Sequence, residues 1–97
     1  MTFKIVHTYR VPGVDHGEAL IQTLDADLIK GFWKTEDEII SNTNGADAII
    51  GVVSMQPFTR RVLETLTNCR IIAGIAIGFE AIDLDAATEL GIAVTNV

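Results

Sequence analysis

Five apolar runs, each followed by a helical or turn-forming segment, fill this 97-residue chain, and that alternation limits its fold more than any other feature. The runs are Phe3 to Thr8, Ala26 to Phe32, Ala46 to Val53, Ile71 to Ile77 and Ile92 to Thr95. Strands alternating with short helices call for a parallel sheet, because each parallel crossover is right-handed and must pack back on the sheet. The third run, Ala-Asp-Ala-Ile-Ile-Gly-Val-Val, has almost no polar interruption, as expected of a central strand covered on both faces.

The intervening segments carry helix signals. After the Pro12-Gly13 turn, His16 to Leu24 puts Leu20, Ile21 and Leu24 on one helical face, with Asp15 placed to cap it. Thr35 and Glu38 have capping-box spacing ahead of Ile39 and Ile40, and Asn42 to Gly45 ends that helix. Thr59 is the natural N-cap of a helix with Val62, Leu63 and Leu66 inward and Arg60 and Arg61 outward. Asp83 or Asp85 caps the last helix, Ala86, Ala87 and Leu90 face the sheet, and Gly91 stops it. The expected fold is α/β and flavodoxin-like, a single domain over residues 1–97. Its five-stranded parallel sheet has the order 2-1-3-4-5, with helices on both faces.

Composition removes several functional classes. Hydrophobic residues make up 48% against 21% charged, and no apolar run approaches the ~18 residues of a membrane span. A chain of this length buries roughly 65% of its unfolded surface, enough for one core. The N-terminus has no signal-peptide pattern, which points to the cytoplasm. Cys69 is the only cysteine, so it forms no internal disulfide, and ahead of an apolar strand it reads as a buried structural thiol. A net charge of −6, with seven basic residues in no stripe, argues against nucleic acid and anionic membranes as partners.

In a sheet of this order, ligands sit beyond the carboxyl ends of the strands, here His7 to Val14, Val53 to Phe58 and Ile77 to Asp83. Ile77-Gly78-Phe79 follows a buried run. A glycine there can turn the chain with positive φ and expose successive N–H groups that bind a carboxylate, or it can serve as a plain turn residue. His7 ends strand one on the same edge, but neither it nor His16 has a carboxylate at motif spacing, and both read as surface or loop histidines. No metal-ligand cluster and no Gly-x-Ser-x-Gly elbow is present. The stretch Gly74 to Gly78 lacks the Gly-x-Gly-x-x-Gly spacing of a dinucleotide site.

The segment from Ala46 to Val97 closely resembles the D-isomer-specific 2-hydroxyacid dehydrogenases, and the earlier residues resemble them weakly. Ile77-Gly78 matches the family's Val-Gly step in Gly-Val-Gly-Xaa-Asp-Asn-Ile-Asp, and Ile82, Asp83 and Leu84 to Asn96 follow the pattern closely. The resemblance implies that the Ile77-Gly78 backbone holds a substrate carboxylate and that Ser54 and Met55 line the pocket mouth. Ser54 fits the family's Arg-Ser pair and Val53 does not. Ala76 replaces a glycine, Gly74 an arginine, and Glu80-Ala81 an Asp-Asn pair.

By resemblance, the chain is the substrate-binding part of an NAD(P)-dependent enzyme acting on a small 2-hydroxy or 2-keto acid. It carries no cofactor site, catalytic residue or metal of its own; the parent would use NAD or NADP and supply the cofactor domain. The chain alone is then expected to be inactive, and to form a homodimer or oligomer because surface normally covered is left bare. The other reading is a stand-alone flavodoxin-like module that binds a small carboxylate or another protein.

Overall fold

The computed structural model describes residues 3–11, 13 and 18–96. The strands are β1 (Phe3–His7), β2 (Ala26–Lys30), β3 (Ala48–Gly51), β4 (Ile71–Gly74) and β5 (Ala93–Thr95). The helices are α1 (Glu18–Ile21), α2 (Glu36–Asn42), α3 (Arg60–Glu64) and α4 (Leu84–Glu89). Every strand pair is parallel and the order is β2-β1-β3-β4-β5, as the alternation predicts.

Register fixes which residues share a face. Ile29, Val6, Ile49, Ile72 and Val94 form one row across the sheet, and its three central members are fully buried beneath the side chains of α2, α3 and α4. That side holds the core, with Ile39, Phe58, Val62, Leu63, Ala86 and Ala87 packed into it. The opposite row, Leu28, Ile5, Ala48, Ile71 and Ala93, is equally apolar, yet every member is exposed or half-buried. A right-handed β1–β2 crossover sends α1 to that second face, and four residues of helix cannot cover it.

The caps form where local sequence places them. Thr35 and Glu38 make both halves of the capping box, Thr59 caps α3, and Asp83, rather than Asp85, caps α4 by accepting from the Ala86 N–H at 2.9 Å. Gly45 and Gly91 end their segments in the left-handed region, at φ 77° and 73°. Two expectations fail. Leu20 and Leu24 are 71% and 58% exposed because α1 ends at Ile21, before a helical face can develop. Leu90 is exposed because it is the C-cap of α4, beyond the last full turn. The proposed cap Asp15, His16 and Pro12 lie outside the described residues.

Strands end where partners end. β4 stops at Gly74 rather than Ile77, because β3 stops at Gly51 and the β5 pairing reaches only Ala73↔Thr95. β3 is shorter than the Ala46–Val53 run because the Val52 carbonyl turns to accept from Met55 and Gln56 N–H groups. β2 stops at Lys30, before Phe32.

The capping box makes a pH prediction. The Glu38 carboxylate accepts from the Thr35 hydroxyl and from the Thr35 and Lys34 N–H groups, which holds its pKa below the ordinary 4.5. A depressed acid contributes stability that is fully present above pH 4.5 and is lost as pH falls through its folded value. Glu38→Gln, which retains capping geometry without a titrating group, is expected to flatten that acid limb when thermal midpoint is followed from neutrality downward. An unchanged limb would refute the assignment.

Candidate active-site edge

At the carboxyl edge, pairing between the first two strands continues past their ends. The Gly31 N–H donates to His7 O at 2.9 Å, Arg10 N–H to Gly31 O at 2.8 Å and Trp33 N–H to Thr8 O at 3.0 Å, with an antiparallel bridge between Tyr9 and Phe32. The Trp33 indole lies where a side chain at Gly31 would stand, so that glycine admits the ring against the strand end. Under this extension His7 is fully buried, which corrects the expectation of a surface histidine. β1 is an interior strand, so its last residue is enclosed by neighbours on both sides.

Gln56 is the hub of this edge, and its side chain is only 1% exposed. Its Oε1 accepts from the Val52 N–H at 2.8 Å and the Thr8 hydroxyl at 3.0 Å, while its Nε2 donates to Thr8 O at 3.1 Å and Trp33 O at 2.8 Å. One amide thereby ties together the segments that follow β1, β2 and β3. No sequence motif announces it, since its partners Trp33 and Thr8 lie 23 and 48 residues away.

The segment after β3 is also tied to the one after β4. Ala81 N–H donates to Val53 O at 3.1 Å, Asp83 N–H to Phe58 O at 3.0 Å, and Phe58 bridges Ile82. These bonds join the residues that flank Ser54 and Met55 to Ala81, Ile82 and Asp83, downstream of Ile77-Gly78. Ser54 is half-buried, Met55 is exposed, Ile77 is 78% exposed and Gly78 is half-buried. Asn96 donates its side-chain amide to the Ile77 carbonyl at 2.5 Å, an anchor whose role the sequence did not reveal.

Among the described residues, the backbone N–H groups of Ile77 and Gly78 have no intrachain acceptor. Gly78 departs from expectation in one respect, because its φ is not in the left-handed region, which among the described glycines holds only Gly13, Gly45 and Gly91. A side chain there would meet the carboxyl group of Glu80, the free end of an exposed chain that can move aside. Neither backbone strain nor a fixed neighbour demands glycine at this position.

Gly74 differs. An added Cβ would lie 2.6 Å from the Thr95 carbonyl oxygen and 2.9 Å from Val53 Cγ2, inside the buried sheet. The backbone at Gly74 is closed in by protein and cannot approach a pyrophosphate. Among the described residues no His, Cys, Asp and Glu group could hold a metal ion. Cys69 is buried, as expected, and burial pushes its thiol pKa up, which makes it a poor nucleophile.

At the carboxyl edge a cleft of about 150 Å³ is lined by Tyr9, Lys34, Met55 and Gln56. No described helix is long and apolar enough to cross a membrane.

Comparison with known proteins agrees with this architecture. Residues 6–97 match the family model described as D-isomer specific 2-hydroxyacid dehydrogenase, catalytic domain. A glyoxylate reductase from Pyrococcus horikoshii is 30% identical over 96% of this chain and 28% of its own length. A D-3-phosphoglycerate dehydrogenase from Methanocaldococcus jannaschii is 36% identical over 64% of this chain and 12% of its own. The apo-structure of D-lactate dehydrogenase from Escherichia coli superposes with a TM-score of 0.74 at 27% identity, covering 98% of this chain and 31% of that one. A Pyrococcus horikoshii crystal structure reaches 0.85 at 27% identity, over 100% of this chain and 28% of that one. The chain thus spans under a third of the length of each of these relatives. With the family model covering residues 6–97, the chain belongs to the D-isomer specific 2-hydroxyacid dehydrogenase catalytic-domain family.

Proposed function

We propose that these 97 residues are one substrate-binding domain of a cytoplasmic NAD(P)-dependent D-2-hydroxyacid dehydrogenase, and that the Ile77-Gly78 backbone receives the carboxylate of a small 2-hydroxy or 2-keto acid. The observation that carries this reading is the pair of N–H groups at a strand-end loop with no described intrachain acceptor. Backbone donors need a partner, and successive N–H groups in a loop suit an anion. Ser54 and Met55, on the adjoining segment, form the mouth of the site. The residues of this chain bind and orient the acid; the dinucleotide belongs to a further domain, and hydride transfer is expected to be absent when this chain is assayed alone with NADH and glyoxylate.

Titrating glyoxylate into the isotope-labelled chain is expected to shift the Ile77 and Gly78 amide resonances. Gly78→Ala should weaken that binding by about tenfold, because a methyl group bars close approach to the backbone, while stability stays within about 1 kcal/mol. Amide shifts confined to other strand ends would remove the carboxylate reading.

The bare row Leu28, Ile5, Ala48, Ile71 and Ala93 supports self-association of the isolated chain. It adjoins an apolar groove of about 350 Å³ lined by Phe3, Ile5, Leu24, Asp25, Ala26 and Ala48. Parallel sheets are normally covered on both faces. Sedimentation is expected to show a dimer or larger species that Ile5→Glu disperses; a monomer at all accessible concentrations would contradict it.

A further inference from the structure

We propose that Asn44 is a site of spontaneous covalent modification, at which the chain closes a cyclic imide with Gly45 and then opens it to aspartate or isoaspartate. The Asn44-Gly45 pair stands between α2 and β3, at the amino edge of the sheet, away from the strand ends that carry the carboxylate site. In the first step the Gly45 nitrogen, having lost its proton to hydroxide, attacks Asn44 Cγ. The N–Cγ bond forms as the Cγ–Nδ2 bond breaks, and ammonia leaves with a proton from water. Water then adds to one of the two imide carbonyls. Breaking the N–Cγ bond gives aspartate, whereas breaking the original peptide bond routes the main chain through Cβ and Cγ and gives isoaspartate. Neither step oxidises or reduces anything.

The reaction needs an unengaged nitrogen, an unengaged amide and room for them to meet, and the turn supplies all three. It is closed by the Ala46 N–H, which donates to Thr43 O at 3.0 Å, and this bond leaves the Gly45 N–H without an acceptor among the described residues. Gly45 has φ 77°, and a side chain built there would meet nothing within 4 Å, so its nitrogen is open to approach. Asn44 is exposed, and its side-chain amide has no hydrogen-bond partner among the described residues, so it can rotate onto that nitrogen. The other asparagines lack this combination. Asn42 donates its amide to Glu38 O at 2.7 Å, Asn96 donates to Ile77 O, and Asn68 is followed by Cys69, whose N–H is held by Leu66 O at 3.3 Å.

The two outcomes differ in what they do to the fold, because both sides of the turn are anchored. Thr43 is fully buried and donates its hydroxyl to Ile39 O at 2.7 Å, Ala46 is buried, and the Asp47 carboxylate accepts from the Lys4 N–H at 2.8 Å. Between these anchors the Asn44 carbonyl accepts from the Lys4 ammonium at 2.5 Å. Isoaspartate inserts one extra carbon into the main chain here, so the turn bond and the Lys4 contact cannot both survive, and the junction between β1 and β3 loosens. Aspartate leaves the main chain as it was and adds only a negative charge.

The test ages the purified chain in buffers from neutral to mildly alkaline pH and follows it by peptide mass mapping and by an isoaspartate-specific methylation assay. The mass gain of an amide-to-acid exchange is expected at Asn44 ahead of every other asparagine, at a rate that rises in proportion to hydroxide. Gly45→Ala should slow it about tenfold, because a methyl group crowds the attacking nitrogen. Asn44→Gln should abolish it, and since that position is exposed the variant keeps the fold even if the alanine variant does not. The isoaspartate form, separated by ion exchange, is expected to melt about 4–8 °C below Asn44→Asp, the shift that loss of a single hydrogen bond gives in a domain of this size. No gain at Asn44, faster conversion at Asn42, Asn68 or Asn96, or a Gly45→Ala chain that converts as fast as the parent overturns the proposal. An isoaspartate form that melts with Asn44→Asp overturns its effect on the β1–β3 junction.

Discussion

Gln56→Leu is expected to cost about 3–5 kcal/mol of stability, out of a total of about 5–15 kcal/mol for a domain of this kind. The substitution keeps the volume of the side chain and removes only its polarity. It leaves the Val52 N–H without its acceptor and the Trp33 carbonyl without its donor, while the Thr8 carbonyl loses one of two donors and keeps the Trp33 N–H, and each orphaned buried group costs about 1–3 kcal/mol if water cannot replace the partner. Thermal unfolding should register a fall of roughly 15–30 °C. Gln56→Glu separates the two ends of the amide. Its carboxyl oxygen can still accept from Val52 and Thr8, but as an anion it faces two carbonyl oxygens. Its folded pKa is then raised, so the glutamate variant should lose stability as pH rises past the ordinary glutamate range, with opposite sign to the Glu38 effect. A leucine variant within about 1 kcal/mol of the parent would show that water substitutes freely at the hub.

Gly74→Arg is expected to abolish folding. By the resemblance noted in the sequence, Gly74 stands in place of an arginine, so the exchange looks like restoration of a lost positive charge. The geometry opposes it, because the first atom of any side chain would stand 2.6 Å from the Thr95 backbone oxygen. That oxygen belongs to the segment closing the sheet and cannot swing aside as a side chain can. Gly74→Ala, with only the methyl group, should cost about 1–3 kcal/mol from overpacking, whereas the arginine adds a charge in a buried position without a carboxylate beside it. Circular dichroism of the two variants checks the order. A folded, soluble arginine variant would mean that β5 can separate from β4 at its carboxyl end.

What could be read in the sequence was local. Thr35 and Glu38, Thr59, Asp83, Gly45 and Gly91 act within a few residues of themselves, and each does in the structure what its type and spacing predict. The strand order was legible as well, since alternation and handedness leave few alternatives. Long-range arrangement was hidden. His7 is buried because its strand acquires two neighbours, and Leu20 and Leu24 are exposed because α1 is too short. Gly78 was recognised as a notable glycine for a backbone conformation it does not adopt. Gln56 drew no attention because a glutamine after a strand carries no pattern, and its importance lies in acceptors and donors supplied by distant segments. The Tyr9–Lys34 cleft was invisible for the same reason, since it exists only once the first two strands pair beyond their ends.

The position of β1 between β2 and β3 also sets an order of events during synthesis. Among these five strands β1 is made first, with one neighbour that follows soon and another that follows late, and Lys4 is hydrogen-bonded to Asp47, 43 residues downstream. Until that stretch is made, one edge of β1 stays open, with Ile5 and Val6 without their β3 partners. The nascent chain therefore carries an unpaired apolar edge while the residues between β1 and β3 are made, an interval in which a chaperone that shields strand edges would protect it from aggregation.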